Sequence, residues 1–307
     1  MPTVRQPALR LGEVVFCCEA GAFSRVRVEV PGWAPARPGQ FAMLHVEGSA
    51  RFLARPFSLS DEEPRGAGAV LTFVVAPVGP ASQELANLRP GARLSVLGPL
   101  GRGFDLEEIL APAPARGACP AALAGSPRRR LVIVAGGVGI APFPLLLRTL
   151  AQGGGGGRSA PVCTRTPLLL CGFRDQAQAE AVSVLQEGTE ELRRAGMGSG
   201  LLCATDDGSV GFHGPVTELL RREVSSGDRV VACGPPAMCR AVWGLCRGIS
   251  DVQCWFSLEA RMACGVGSCH GCVIPLADGS LAKVCRRGPV LRGEEAFGEV
   301  EHDLLTR

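Results

Sequence analysis

The sequence predicts a multidomain fold: a small antiparallel β-barrel, then a doubly wound parallel α/β sheet, then a small C-terminal cysteine loop segment. Three observations predict it. Residues 1–104 hold short β-prone runs separated by turn signals. From residue 130 continuous apolar runs alternate with helix-like stretches. Near the end, Cys264, Cys269, Cys272 and Cys285 stand in a C-x4-C-x2-C-x12-C spacing.

The barrel runs are Gly12–Cys18, Ser24–Val30, Phe41–Val46, Ala69–Ala76 and Arg93–Leu97, with turns expected at PGW, RPG, DEEPRG and a second RPG. Evenly spaced short strands over such a length suggest a closed antiparallel barrel. Leu106–Ala111 reads as a short helix, and residues 111–129, rich in Pro, Ala and Arg, as a linker or surface insertion.

Arg130–Ala135 (RLVIVA) is apolar throughout, as a strand covered on both faces must be. GGVGIAP follows, and FPLLLRTLA reads as a helix. Residues 152–166 contain five consecutive glycines and read as a loop. Pro167–Gly172 is a second buried strand, Ala177–Ala195 a helix, Gly200–Ala204 a strand, Pro215–Glu223 a helix, Arg229–Cys233 a strand and Ala237–Cys246 a helix. Thr205–Ser209 and Gly211–Gly214 read as turns. The domain boundaries expected are 1–108 for the barrel, 109–129 for the linker, 130–250 for the α/β domain and 251–307 for the cysteine segment.

The chain has 307 residues, 46% hydrophobic and 20% charged, which suits a protein with a sizeable core. A formal net charge of +3 is too small to imply nucleic acid or a membrane surface. The N-terminus has no apolar signal region, and no apolar run approaches the ~20 residues of a membrane span. A cytoplasmic location is expected, and with it reduced thiols. Of the 14 cysteines, Cys17, Cys18, Cys163, Cys171 and Cys203 read as small buried hydrophobes.

The four C-terminal cysteines carry the strongest chemical signal. C-x4-C-x2-C with a distant fourth Cys is the plant-type spacing for a [2Fe–2S] cluster. Gly265, Gly267 and Gly271 let backbone N–H groups turn toward sulfur. The competing readings are a structural zinc site, which favours paired C-x2-C knuckles, and disulfides. His270 lies in the loop and reads as a surface or supporting residue.

Other stretches are weaker alone. Arg55-Pro56-Phe57-Ser58, placed at the end of a barrel strand, offers a planar fork of donors and a hydroxyl. Gly79-Pro80-Ala81-Ser82 opens a helix, whose first N–H groups favour a phosphate or which Ser82 simply N-caps. Gly136-Gly137-Val138-Gly139-Ile140-Ala141-Pro142 lies between a buried strand and a helix, where a dinucleotide phosphate would lie, although it is G-x-G-x-x-P and not the G-x-G-x-x-G fingerprint. Cys233-Gly234-Pro235-Pro236 ends a strand at the carboxyl edge, where ligands bind in open α/β sheets. Arg174 and Asp175 end the second strand, and their opposite charges leave NAD against NADP open. No acid, base or nucleophile constellation stands out, so no catalytic residue is assigned.

In order and spacing, RPFSLS, LGPLGRGF, LVIVAGGVGIAP, TDDGSVGFHGPV, VVACGPPAM and SLEARMACGVGSCHGCV with VCRRGPV resemble the electron-transfer subunits of class 1B dihydroorotate dehydrogenases, within the ferredoxin–NADP reductase superfamily. The resemblance spans nearly the whole chain apart from 111–129 and 152–166. It implies that the barrel holds FAD through Arg55, Pro56, Phe57 and Ser58, with Val74, Val75, Ala76, Ala81 and Ser82. It implies that Gly136, Gly137, Gly139 and Pro142 with Cys233, Gly234 and Pro235 face NAD(H), and that Cys264, Cys269, Cys272 and Cys285 bind the [2Fe–2S] cluster. The family's Gly-Thr stands here as Ala81-Ser82, and its arginine before that turn as Ala76. The activity implied is electron transfer between NAD(H), FAD, the cluster and a catalytic flavoprotein subunit in a hetero-oligomer, the partner being an FMN dihydroorotate dehydrogenase of pyrimidine biosynthesis. The alternatives are a same-fold subunit of an NAD(P)H-dependent sulfur or glutamate-synthase-like, hydrogenase or transhydrogenase complex, and a non-catalytic metal-binding redox sensor.

Overall fold

The computed structural model describes residues 7–111, 129–153 and 166–298. Most of the 111–129 linker and of the 152–166 glycine loop, Cys163 and the tail beyond 298 lie outside the described residues. Strands β1 (Ala8–Ala20), β2 (Phe23–Val30), β3 (Phe41–Val46), β4 (Arg55–Arg65), β5 (Gly68–Val75) and β6 (Arg93–Leu100) close into a barrel in the order β1-β2-β5-β4-β3-β6. Every barrel pairing is antiparallel, and β6 returns to β1. Alternation drives the closure: Val26, Val28 and Val30 of β2 meet Leu71, Phe73 and Val75 of β5 inside the barrel. Helices α1 (Pro80–Ala86) and α2 (Leu106–Leu110) flank β6 in sequence.

Two barrel expectations change. Asp61–Arg65, expected in a turn, belong to β4, which turns instead at Gly66 in the left-handed region (φ 55°). The acidic run survives in a strand because each carboxylate finds a distant partner. Asp61 pairs with Arg148 at 2.8 Å, Glu63 with Arg27 at 2.5 Å, and Glu62 accepts from the Trp33 indole and the Ala36 N–H at 3.0 Å each. Arg55–Ser58 accordingly stand at the start of this strand, not the end.

The α/β domain continues with β7 (Leu131–Gly136), α3 (Phe143–Ala151), β8 (Leu168–Phe173), α4 (Gln176–Ala179), α5 (Gln186–Arg194), β9 (Gly200–Thr205), β10 (Phe212–His213), α6 (Val216–Glu223), β11 (Arg229–Cys233), α7 (Pro236–Cys246) and β12 (Gln253–Ser257). The chain then forms the hairpin β13 (Val273–Pro275) and β14 (Leu281–Lys283), then α8 (Val284–Arg287), β15 (Val290–Arg292) and α9 (Gly293–Ala296). The large sheet runs β10-β9-β8-β7-β11-β12-β15, parallel except for β15. Apolar side chains cover both faces: Ile133 and Val231 pack toward α2, α3 and α5, and Val132 and Val230 toward α6 and α7. That is why β7 and β11 read as unbroken apolar runs.

The expected helix Ala177–Ala195 is three pieces, α4, a 3-10 stretch Glu180–Leu185 and α5. The break falls where the barrel docks: the Ala22 N–H donates to the Ala177 carbonyl at 2.7 Å, and a Cβ on Gly21 would stand 2.2 Å from that oxygen. Within the expected turn Gly211–Gly214, Phe212 and His213 pair with β9 as β10. Cys171 is buried, whereas Cys17, Cys18 and Cys203 are only half-buried. Among the described residues no helix is long and apolar enough to cross a membrane.

Candidate functional site

Topology places the site. From β7 the chain steps outward through β8, β9 and β10, then returns to the other side of β7 as β11. The crevice at the carboxyl ends of β7 and β11 is therefore the switch point of the sheet, the place where open α/β folds bind ligands. The turn after β7 and the turn after β11 meet there. A Cβ on Gly139 would lie 2.3 Å from the Cys233 carbonyl oxygen, and one on Gly136 2.5 Å from the Met238 sulfur. These two glycines thus let the turns approach each other. Gly137 is different: its φ is +54° and nothing lies within 4 Å of its would-be Cβ, so it faces open space.

The barrel closes the other side of this crevice. A cleft of about 460 Å³ is lined from β4 by Arg55, Pro56, Phe57 and Ser58, from β5 and α1 by Val74, Ala76, Ala81 and Ser82, and from the sheet by Val138, Ala141 and Cys233. Eleven sequence-identified or adjacent positions from two domains thus meet in one groove of cofactor size. Val75 does not line it. Strand alternation turns Val75 into the barrel core, fully buried, while its neighbour Val74 faces the cleft. Gly136, Gly139 and Pro142 are buried behind the cleft, and Gly234 and Pro235 stand beside it without lining it.

Local chemistry suits an anionic, planar ligand. Arg55 is half-buried and spends one guanidinium nitrogen on the Leu53 and Ala54 carbonyls at 3.0 and 3.3 Å, which fixes the fork and leaves its other donors without a hydrogen bond to the described residues. Ser82 is not the N-cap of α1. Gly79 is, and the Ser82 hydroxyl both accepts from the Gly79 N–H and donates to its carbonyl at 3.0 Å, squaring off the turn. The Cys233 thiol is buried at the cleft floor; burial first, then the charge of Glu259, push its pKa well up, so it stays a neutral thiol. Glu259, Ser257, Leu258, Ala260 and Met262 complete the wall. These residues fall within the family-like SLEARMACGVGSCHGCV stretch, but nothing in their residue types points to a cofactor wall, so the sequence alone gives them no part in the cleft. Glu259 is exposed at the cleft wall, and the protein packed around its carboxyl pushes its pKa up.

The same wall runs on into the cysteine loop. Cys272 and Cys285 are buried with Phe41, Met43 and Leu100 of the barrel, and Phe41 also lines the cleft. A Cβ on Gly265 would stand 2.6 Å from Met43, so this left-handed glycine (φ +70°) seats the loop on the barrel. Cys272 and Cys285 sulfurs lie 3.2 Å apart, beyond the roughly 2.05 Å of a disulfide bond, and all four thiols are free. Backbone N–H groups of Cys269 and Gly271 point at the Cys264 and Cys269 sulfurs, each at 3.4 Å. Crowding pushes the Cys264 thiol up, but N–H groups of Cys269, Val266 and Ser268 outweigh it and bring it down to about 6. Burial, then the Cys272 thiol, push Cys285 up to about 12. Two buried and two accessible thiols, ringed by inward N–H groups on left-handed backbone, fit a thiolate-ligated iron–sulfur group. His270, itself left-handed at φ 59°, is exposed.

Comparison with known proteins agrees with this geometry. The family model for the iron–sulfur cluster binding domain of dihydroorotate dehydrogenase B matches residues 259–296. The chain is 31% identical over 261 residues to the electron transfer subunit of dihydroorotate dehydrogenase B (NAD(+)) of Listeria monocytogenes, covering 84% of this chain and 86% of that protein. It is 33% identical over 266 residues to the same subunit of Geobacillus thermodenitrificans, with the same two coverages, 84% and 86%. Among solved structures, an NADH-dependent reduced ferredoxin-NADP oxidoreductase superposes with a TM-score of 0.69 at 23% identity, over 96% of this chain and 91% of that one. A ferredoxin NADP+ reductase from Neisseria gonorrhoeae superposes with a TM-score of 0.59 at 16% identity, over 81% and 99%. These two likenesses speak for the fold.

Proposed function

Because the chain belongs to the family of dihydroorotate dehydrogenase B electron transfer subunits, we propose that it carries electrons between NAD(H) and a catalytic flavoprotein subunit that oxidises dihydroorotate. The observation that carries the reading is the shared wall. Phe41, Ser257, Leu258, Glu259, Ala260 and Met262 line the cleft, and the same barrel face and the same stretch lead directly into the buried Cys272 and Cys285. When bound, FAD exchanges electron pairs with NAD(H) and a [2Fe–2S] cluster passes single electrons, so the hard chemistry belongs to the cofactors.

The chain's own residues bind, orient and exclude water. Arg55, Pro56, Phe57 and Ser58 with Val74, Ala76, Ala81 and Ser82 form the FAD side of the cleft. Arg55 supplies a held guanidinium for a diphosphate, and Ser58 a hydroxyl for a ring edge. Val75 supports this side from the barrel core. On the sheet side, Gly137 leaves room for NAD(H), Gly136, Gly139 and Pro142 shape the turn, Cys233 closes the floor, and Gly234 and Pro235 stand beside it on the NAD(H) side. The neutral Cys233 thiol offers a small soft surface for a ring to lie against, not a nucleophile. Cys264, Cys269, Cys272 and Cys285 hold the cluster, with Cys269 on the exposed side where a partner would approach. The domains divide as barrel 1–108, linker 109–129, α/β domain 130–250 and cluster segment 251–307, with β12 and β15 of the last joined to the sheet. The assembly works in the cytoplasm as a hetero-oligomer.

Co-expression with the catalytic subunit tests this. The purified complex should reduce NAD+ on addition of dihydroorotate, and the catalytic subunit alone should not. A complex that forms but leaves NAD+ untouched would overturn the assignment.

A further inference from the structure

Of the 32 basic residues in the chain, one is lysine. That residue, Lys283, ends β14, two positions before Cys285. Its ammonium donates to the Gly267 carbonyl at 2.8 Å and lies 2.9 Å from the His270 Nε2. Lysine has donors only, so the imidazole nitrogen accepts. Gly267 and His270 both lie inside the loop from Cys264 to Cys272, and both adopt left-handed backbone, at φ +87° and 59°. One side chain therefore ties the loop bearing three thiols to the hairpin that delivers the fourth.

Among the described residues no carboxylate pairs with the Lys283 ammonium, which donates only to a backbone carbonyl and an imidazole nitrogen. Lys283 is half-buried, so water compensates it only in part. A group held by four thiolates is the negative partner that this arrangement lacks. Arginine would keep the charge but not the same pair of hydrogen bonds. Gly267 is already covered by Arg286, whose Cγ would lie 2.7 Å from a Cβ there, and a planar fork is broader than a compact ammonium that can aim separate N–H bonds at two acceptors.

We propose that Lys283 is a positioning residue for the iron–sulfur site: it locks the Cys264–Cys272 loop onto the β13–β14 hairpin, and its fixed positive charge favours the reduced, more negative form of the cluster. The inference rests on the functional reading above. Its physical basis is that cluster potentials follow local net charge and hydrogen bonding.

The test uses the full chain, purified anaerobically with its cofactors, as wild type, Lys283→Met, Lys283→Gln and Lys283→Arg. Two quantities are read: the cluster's midpoint potential by spectroscopically monitored titration, and the rate of iron loss to a chelator. Lys283→Met should shift the equilibrium about tenfold toward the oxidised cluster, about 59 mV lower for a one-electron couple, and should lose iron several-fold faster. Lys283→Arg should recover most of the potential, because the charge is kept. If the Met variant assembles no cluster, Lys283→Gln carries the potential measurement, since its amide keeps a donor and removes the charge. An unchanged potential in whichever neutral variant holds the cluster would overturn the proposal, as would an Arg variant shifted as far as Met. A wild-type chain without a [2Fe–2S] spectrum would overturn the functional reading instead, so the two failures are distinct.

Discussion

Replacing Gly139 with alanine probes the contact on which the switch-point crevice depends. The added Cβ would stand 2.3 Å from the Cys233 carbonyl oxygen, 2.5 Å from its carbonyl carbon and 2.7 Å from the Gly234 Cα. All three are backbone atoms, so no side chain can swing aside. Restoring ordinary contact, which begins near 3.4 Å, requires the turn after β7 and the end of β11 to part by about 1 Å. Overpacking of this kind costs on the order of 1–3 kcal/mol, and a backbone clash falls at the upper end. Because Val138, Ala141 and Cys233 line the cleft, the same displacement disturbs the nucleotide side. Gly137→Ala is the comparison. Its Cβ meets nothing within 4 Å, but its φ of +54° makes alanine pay a left-handed cost of about 1–2 kcal/mol. Urea unfolding should rank Gly139→Ala as the less stable variant, and titration with NADH should show it binding about tenfold more weakly than wild type, equivalent to about 1.4 kcal/mol. Wild-type stability in Gly139→Ala, or a larger loss in Gly137→Ala, would refute the packing argument.

Three further outcomes follow from the same geometry. Arg55→Ala should weaken FAD retention by about tenfold or more, about 1.4 kcal/mol, read by flavin release on dilution, while the barrel core, which Arg55 does not enter, keeps the chain folded. Cys269→Ser should abolish the two-iron spectrum yet leave flavin reduction by NADH in place; loss of both would mean that the loop chiefly holds the fold together. Asp61 is pushed up to about 6, chiefly by burial and despite the Arg148 charge, above its ordinary 3.8. The folded state then binds more protons than the unfolded one between these values, so this group's contribution to stability rises as pH falls from 7 toward 4, by at most about 3 kcal/mol. The difference in unfolding free energy between pH 7.5 and 5.5 should shrink in Asp61→Asn, and an unchanged difference would remove Asp61 as its source.

Much of the architecture was legible because its signals are local. Five barrel runs announced themselves by turn residues and β-branched content, and β7, β8 and β11 by apolar runs that only a strand covered on both faces can sustain. The cysteine spacing was legible for the same reason, since three ligands sit on one short loop. What stayed hidden depends on distant partners. The acidic stretch Asp61–Glu63 looks like a turn until Arg148, Trp33 and Arg27 arrive from elsewhere. The glycines after β7 look like a phosphate cradle, yet Gly136 and Gly139 are needed for contact with the β11 turn, and only Gly137 faces free space. Glu259 joined the cleft unannounced because its role comes from the chain path between β12 and the loop, not from its neighbours in sequence. Strand order, which makes the β7–β11 crevice the binding edge, is likewise a property of the folded sheet.

The account stands or falls most directly on an anaerobic titration of the purified chain with NADH, followed by visible absorption and electron paramagnetic resonance alongside iron, zinc and flavin analysis. The account predicts about two irons and one FAD per chain, flavin bleaching on addition of NADH, and a reduced-cluster resonance that Cys269→Ser removes. A colourless chain carrying one zinc, or a coloured chain whose cluster stays oxidised while NADH fully bleaches the flavin, would contradict it.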